Sequence, residues 1–271
     1  MTMAAYKLPP DNVQIAFSGG RTSAFMLHEI MEANGGLPDH VEVTFQNTGR
    51  ELPQTLDFVA EVARRWGVMV TWLEYRREKP LFAVVGYQGA SRNGEPFDAV
   101  IAKKQALPNQ HQKWCSAELK TKTAKRYLVS KGWKRWTSMV GFRADEMHRE
   151  PYKDNRATTI LPLREAGVTK RDVIAFWRRQ SFDLRLPVLR GKTIGGNCDG
   201  CFLKSEASIA ALARDLPDNA AWWEAHEERC GHQFSKRYSR RSLREFMGRQ
   251  GDWIFSTEDA LCQKDDGECS I

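Results

Sequence analysis

An α/β fold, a parallel twisted sheet with helices on both faces, is predicted by three features of the sequence. Residues 13–17 form an apolar run that passes directly into Ser18-Gly19-Gly20 and then into a helix-forming stretch. Two further strand-like runs, 41–45 and 68–73, follow it, each separated from the last by a segment of helical periodicity. Alternation at this tempo implies right-handed crossovers and parallel pairing, with ligands held at the carboxyl ends of the strands.

The elements follow in order. Residues 22–33 read as a helix, and the second strand ends at Gln46-Asn47-Thr48-Gly49. Residues 53–66 are helical because Leu56, Val59, Val62 and Ala63 recur on one face. Residues 74–112 read as irregular, broken by Gly86, Gly89, Gly94, Pro96 and Pro108. A basic helix is expected over 116–131, a strand over 137–142, and a helix that starts near Thr169 and runs through Asp172 to Gln180. Further helices are expected over 205–214, 220–230 and 239–249. Strands thin out beyond about residue 145, so the expected division is an α/β part over 1–190 and a helical, cysteine-bearing part over 191–271 packed on it.

Composition narrows the function classes. With 41% hydrophobic and 28% charged residues in 271, the chain can bury a sizeable core. No run approaches eighteen apolar residues and the N-terminus has no apolar leader core, so the expectation is a cytoplasmic protein without a membrane span. A formal charge of +7 suits a nucleotide or nucleic-acid partner, or simply a solvated basic surface. The densest basic run, residues 235–244, has the same two readings: contact with a phosphate backbone, or a solvated helix face.

The loop at the end of the first strand is the leading site candidate. A helix N-terminus offers unpaired N–H groups and partial positive charge, and glycine lets backbone approach a ligand closely. Ser18, Gly19, Gly20, Arg21, Thr22 and Ser23 together read as a phosphate cradle, with Arg21 able to hold an anion bidentately. The spacing is neither that of a Walker loop nor G-x-G-x-x-G. A plain serine-capped turn would look similar.

Here a resemblance becomes specific. Phe17-Ser18-Gly19-Gly20 with Ser23 resembles the PP-loop of the ATP-pyrophosphatase superfamily, with Arg21-Thr22 in place of the usual Lys-Asp. Residues 45–55 (FQNTGRELPQT), Trp114-Cys115-Ser116 with Leu119-Lys120, Gly141-Phe142-Arg143 with Glu146, Pro162-Leu163 with Asp172-Val173, and Asn197-Cys198-Asp199-Gly200-Cys201 resemble, in order, segments of the phosphoadenosine phosphosulfate (PAPS) reductase-like family, iron–sulfur type. The resemblance implies an enzyme that binds an adenine nucleotide, ATP or PAPS, and carries out sulfur chemistry. That chemistry would be sulfonucleotide reduction or ATP-dependent sulfur transfer, with a thiol reductant or sulfur donor and, for the latter, Mg²⁺ and a tRNA or DNA substrate.

In that family's terms Thr48 and Gly49 lie beside the nucleotide, and Glu51 binds a ribose hydroxyl or a metal, or faces solvent. Lys120 and Lys122 reach phosphates or water, and Arg143 is the best single anionic contact. Asp145 and Glu146 place Mg²⁺, orient Arg143, or cap a helix. Cys115, Cys198, Cys201 and Cys230 are the expected ligands of a [4Fe–4S] cluster, with zinc or no metal as the alternatives, and with a three-cysteine cluster if helix 220–230 buries Cys230 as a small hydrophobe. Cys269, in a terminal Glu-Cys, is a thin match to the family's tail nucleophile, and Cys262 has no assigned role. The alternative function is a nucleic-acid-binding or regulatory protein that keeps the nucleotide fold around a structural metal.

Overall fold

The structure is a computed structural model that describes residues 3–189 and 192–250. A six-stranded sheet is built from β1 (Val13–Ala16), β2 (Val41–Asn47), β3 (Val70–Tyr75), β4 (Phe82–Val85), β5 (Trp136–Val140) and β6 (Ala157–Ile160), in the spatial order β4-β3-β2-β1-β5-β6. Strands β3, β2, β1, β5 and β6 pair in parallel, so an α/β fold with a largely parallel sheet is present. The edge strand β4 departs from the expectation: it pairs antiparallel with β3, with Trp72 opposite Val85, because the chain reverses through the turn in which Leu81 N–H donates to Glu78 O.

Alternation along the strands assigns the two faces. Val13, Ile15 and Phe17, Val43 and Phe45, Trp72 and Met139 point to one side and form the main core. Against them pack α1 (Arg21–Asn34) through Ala24, Phe25 and Leu27, α2 (Pro53–Trp66) through Leu56, Val59 and Val62, and α7 (Lys170–Trp177) through Phe176 and Trp177. The other face carries Gln14, Thr44, Gln46 and Ser138, an unusual polar stripe for a parallel sheet. Trp136 Nε1 donates to Ser138 Oγ, which donates to Gln14 Oε1, and both Gln14 Nε2 and Gln46 Nε2 donate to Thr44 Oγ1, over 2.8–3.0 Å.

That second face is covered in part by one continuous helical run. α4 (Trp114–Ser116) passes through a π-helical turn, Ala117–Thr121, into α5 (Lys122–Ser130), whose Tyr127 hydroxyl donates to Glu42. The helix α3 (Glu95–Lys104) lies within the stretch read as irregular; Pro96 stands in its first turn, where proline starts a helix rather than breaking one. Strand β6 was likewise not legible. Beyond it come α6 (Pro162–Glu165), the short hairpin of β7 (Val188–Leu189) and β8 (Lys192–Thr193), then α8 (Glu206–Asp215), α9 (Pro217–Cys230) and α10 (Arg240–Gln250). No helix among the described residues is long and apolar enough to cross a membrane.

The start of α7 shows how local sequence fixes an element. Thr169 and Asp172 form a reciprocal capping box: the Thr169 N–H and hydroxyl both donate to Asp172 Oδ2, at 2.9 and 2.6 Å. These bonds hold the Asp172 carboxyl below its ordinary range. A carboxyl depressed in the fold adds stability above its unfolded pKa of about 3.9, and that contribution disappears as pH falls through the folded value. Thr169→Ala is expected to cost about 1 kcal/mol at pH 7. Urea unfolding should show that cost shrinking at pH 3.

Candidate nucleotide and cysteine site

The chain runs to one side of β1 through β2 and β3 and to the other through β5 and β6, so a crevice opens between the carboxyl ends of β1 and β5. The loop predicted to cradle phosphate lies there. Ser18 N–H donates to Ser23 Oγ at 3.2 Å, the two serine hydroxyls lie 2.9 Å apart, and Ser23 Oγ donates to Gly20 O at 3.0 Å. No side chain caps the start of α1, whose N-cap is Gly20. Gly19 has φ 79°, and a Cβ there would stand 2.9 Å from Thr55 Cγ2 and 3.0 Å from Phe45 Cε2, so both conformation and space require glycine.

Arg21 is placed differently from the expectation. Its Nε and Nη2 donate to Asp183 at 2.6 and 2.8 Å, and Nη2 also donates to Leu184 O. The two-pronged contact expected with phosphate is made instead with a carboxylate of the chain, and it ties the loop to the segment after α7. Arg143, by contrast, is fully buried in the crevice, and its Nη1 donates to Thr22 Oγ1 at 3.2 Å. Asp145 accepts from Arg143 Nε at 2.9 Å, and Glu146 accepts from the Arg143 amide at 3.0 Å and from Arg149 at 2.6 Å. Both carboxylates therefore orient Arg143, and Asp145 also accepts from the Lys170 amide at the start of α7, at 3.2 Å, as a capping group does.

The end of β2 supplies the third wall. Asn47 Nδ2 donates to the buried Glu74 at 2.6 Å, and Gly49 N–H donates back to Asn47 Oδ1. Gly49 has φ 77° and lies against Pro96 and Gly94, again a position only glycine fits. Thr48 donates through both its amide and its hydroxyl to Glu51, and its hydroxyl lies 3.3 Å from Cys198 Sγ. Glu51 also forms an isolated antiparallel bridge with Cys198.

Glu51 is therefore buried rather than solvent-facing. Burial pushes its carboxyl up, while the Lys120 charge and the Thr48 bonds work the other way. Lys120 itself is only 6% exposed, set inward by the π-helical turn, whereas Lys122 lies on Glu118 at 2.7 Å. Burial also pushes the Cys198 thiol well up, with the Glu51 charge adding to it.

The Cys-Asp-Gly-Cys loop is anchored through its two middle residues. Asp199, 1% exposed, accepts from Arg50 Nη2 at 2.5 Å, Asn219 Nδ2 at 2.6 Å, Trp223 Nε1 at 2.7 Å and the Gly200 amide at 2.6 Å. A Cβ on Gly200 would stand 2.3 Å from Trp223 Nε1. Sequence reasoning treated this Asp-Gly as a spacer. Its buried partners come from the β2 loop and α9, which no local pattern announces.

Cys201 belongs to an apolar cluster with Tyr75, Phe97 and Trp223, and Cys115, Cys198 and Cys230 all pack against it. The four predicted ligands thus share one cluster, although among the described residues no three His, Cys, Asp or Glu side chains are gathered closely enough to hold a metal ion. Trp114 Nε1 and Asn197 Nδ2, each on the residue before one of these cysteines, are buried donors without an acceptor. Cys262 and Cys269 lie outside the described residues.

The basic run is divided: Lys236 and Arg237 stand exposed, while three of its arginines are paired or buried. Arg240 is buried, with Nη2 on Gly200 O at 2.7 Å; Arg241 pairs with Glu224 and Glu228, and Arg244 with Glu224. These contacts fasten α10 to α9.

Residues 12–159 match the profile of the Phosphoadenosine phosphosulfate reductase domain. A nin region protein of Escherichia phage lambda, ORF290, is 31% identical over 211 residues, which cover 74% of this chain and 69% of that one. A solved phosphoadenylyl-sulfate (PAPS) reductase from Candida auris, in a phosphate complex, is 20% identical with a TM-score of 0.40, over 63% of this chain and 72% of that one. The U34-tRNA thiolase NcsA from Methanococcus maripaludis, solved with its [4Fe–4S] cluster, is 14% identical with a TM-score of 0.42, over 82% and 74%.

Two substitutions probe the site. Gly19→Ala should destabilise the fold by about 1–3 kcal/mol from backbone strain alone. Asp199→Ala leaves the Arg50 guanidinium buried without its carboxylate, and should cost about 3–5 kcal/mol. Urea titration reads both, and a loss under 1 kcal/mol for Asp199→Ala would contradict the anchoring role.

Proposed function

The chain belongs to the Phosphoadenosine phosphosulfate reductase domain family, and from that premise we propose that it is an enzyme binding an adenine nucleotide across residues 18–23 and performing sulfur chemistry beside it. One observation carries this reading: the Thr48 hydroxyl, at the strand end neighbouring the loop, touches Cys198 of the cysteine pair. A nucleotide in the crevice would therefore stand next to thiol chemistry. A regulatory protein that kept only the fold would have no need of that juxtaposition.

The residues divide the work physically. Phosphate or sulfate oxygens lie at the uncapped start of α1, where backbone N–H groups and the helix dipole favour an anion. Arg143 and Lys120 add fixed positive charge inside a site with little water, where it acts strongly on developing negative charge. The base would enter the cavity on the polar face of the sheet, whose lining includes Ala16, Gln46, Thr121, Ser138, Val140 and Tyr152. Amide and hydroxyl groups there can read a heterocycle's edge without a charge.

Cys115, Cys198, Cys201 and Cys230 would hold a [4Fe–4S] cluster, which supplies electron-rich, redox-capable sulfur when bound. In the sulfonucleotide version a thiolate, for which Cys269 is the candidate, attacks the sulfate sulfur. The S–O bond to the nucleotide breaks, the nucleotide leaves with that electron pair, and the sulfo group stays on the cysteine. An external thiol then delivers two electrons and releases sulfite. In the ATP-dependent version Mg²⁺ accompanies the nucleotide, and an acceptor is activated for sulfur delivered by a separate donor.

Calorimetric titration with ATP and with PAPS tests the cradle. Arg143→Ala is expected to weaken the nucleotide that binds by tenfold or more, and Arg21→Ala by less than threefold, because Arg21 is held by Asp183. A wild-type protein that binds neither nucleotide refutes the proposal, and the nucleotide that does bind decides between its two versions.

A further inference from the structure

Among the described residues that line the cavity on the polar face of the sheet, one amide acceptor is left unused by the chain. An indole N–H can only donate. Trp136 Nε1 donates to Ser138 Oγ at 3.0 Å, so the Ser138 hydroxyl turns its proton to Gln14 Oε1, 2.9 Å away. Gln14 Nε2 then donates to Thr44 Oγ1 at 2.9 Å, and both ends of the Gln14 amide are engaged. Gln46 Nε2 donates to the same oxygen at 2.8 Å. Gln46 Oε1 accepts from no group among the described residues, and Gln46 lines the cavity.

Position and surroundings say what that acceptor would meet. Thr44 pairs with Ala16, so Gln46, two residues further on, is level with the loop that begins at Ser18. The cavity has an empty volume of about 550 Å³, the size of a small-ligand site. The two charged side chains in its lining, Lys125 and Asp154, pair with each other at 2.7 Å. The lining therefore suits an uncharged ring and leaves an anion without a partner. Its hydroxyls on Thr121, Tyr152 and Thr159 can donate or accept, so they carry no fixed polarity. Resting on the adenine-nucleotide reading above, we propose that Gln46 sets the base specificity of this site, its Oε1 accepting from the exocyclic amine of the purine. A 6-keto purine brings an oxygen to the same place. Two acceptors then face each other out of water, and neither recovers the hydrogen bond it lost on desolvation.

The test uses the full chain as wild type, Gln46→Met and Gln46→Asn. The probes are AMP, the fragment common to ATP and PAPS, and IMP, which carries a 6-keto oxygen in place of the amine. Each is titrated as a competitor of whichever of ATP and PAPS the wild type binds. Wild type is expected to bind AMP about tenfold or more tightly than IMP, the discrimination that well-placed hydrogen bonds to a base edge supply. In Gln46→Met the ratio should fall below about threefold, with AMP weakened and IMP little changed, whereas loss of a merely structural support would weaken both alike. Gln46→Asn draws the amide back by one carbon and should lower the ratio as well, so the assignment stays testable if methionine impairs folding. Wild type that binds IMP as tightly as AMP, or AMP that fails to displace the bound nucleotide, would overturn the assignment and leave the nucleotide reading standing. Folded Gln46 variants at the wild-type ratio would do the same. Wild type that binds neither ATP nor PAPS would overturn the nucleotide reading itself, and the assignment with it.

Discussion

The buried ion pair between Arg50 and Asp199 is the contact on which the geometry of the site depends. Both side chains are almost fully removed from water, at 4% and 0% exposure. Taking two charges into the interior is costly, and the cost is met only when the remaining hydrogen-bonding capacity is filled. Asp199 meets this condition with three further donors, and Arg50 lies over the Trp222 ring at 4.7 Å. The pair joins three segments far apart in the chain: the loop after β2, the Cys-Asp-Gly-Cys turn and helix α9. It holds Cys198 at the β2 end, and so holds the thiol pair against the nucleotide crevice.

A second constraint is the polar face of the sheet. Parallel strands covered on both sides ordinarily read as continuous apolar runs. Here the face under α5 carries a hydrogen-bonded row from Trp136 through Ser138 and Gln14 to Thr44 and Gln46, in which every link lies between 2.8 and 3.0 Å. A satisfied buried network of this kind is rigid, and it leaves oriented amide groups at the floor of a cavity. The opposite face does the ordinary work of stability through Ile15, Phe17, Phe45 and the helices packed on them. The sheet thus separates its two tasks by face, and the period of two along each strand makes that possible.

Positive charge is also distributed by depth. Arg50, Lys120, Arg143 and Arg240 are all under 7% exposed, and they cluster around the crevice and the cysteine loop. Buried carboxylates, Glu51, Glu74, Glu118, Glu146, Asp199 and Glu227, stand among these cations, so the interior is internally matched, and the exposed arginines of α10 are in turn paired with glutamates of α9.

The sequence by itself determined the parts governed by local physics. Apolar periodicity placed β1, α1, β2, α2, β3 and β5 within a few residues, and Ser18-Gly19-Gly20 marked the loop because a strand entering an uncapped helix needs glycine there. It did not reveal β4, α3 or β6, which are short or begin at proline, and whose existence depends on the neighbours they pair with. Nor could it decide side-chain direction. Arg21 and Arg143 both looked like phosphate contacts, yet Asp183, 162 residues further on, captures the first, while Thr22 and Asp145 hold the second in the crevice. Lys120 and Lys122 read alike, as helix lysines reaching phosphate or water, and a π-helical turn set only Lys120 inward. Glu51, Asp199 and Trp223 acquire their roles only through contacts between distant segments. Short-range pattern fixes which backbone forms, whereas the partner of a buried charge is chosen by whichever chain segment folding brings alongside it, and that choice belongs to the tertiary structure alone.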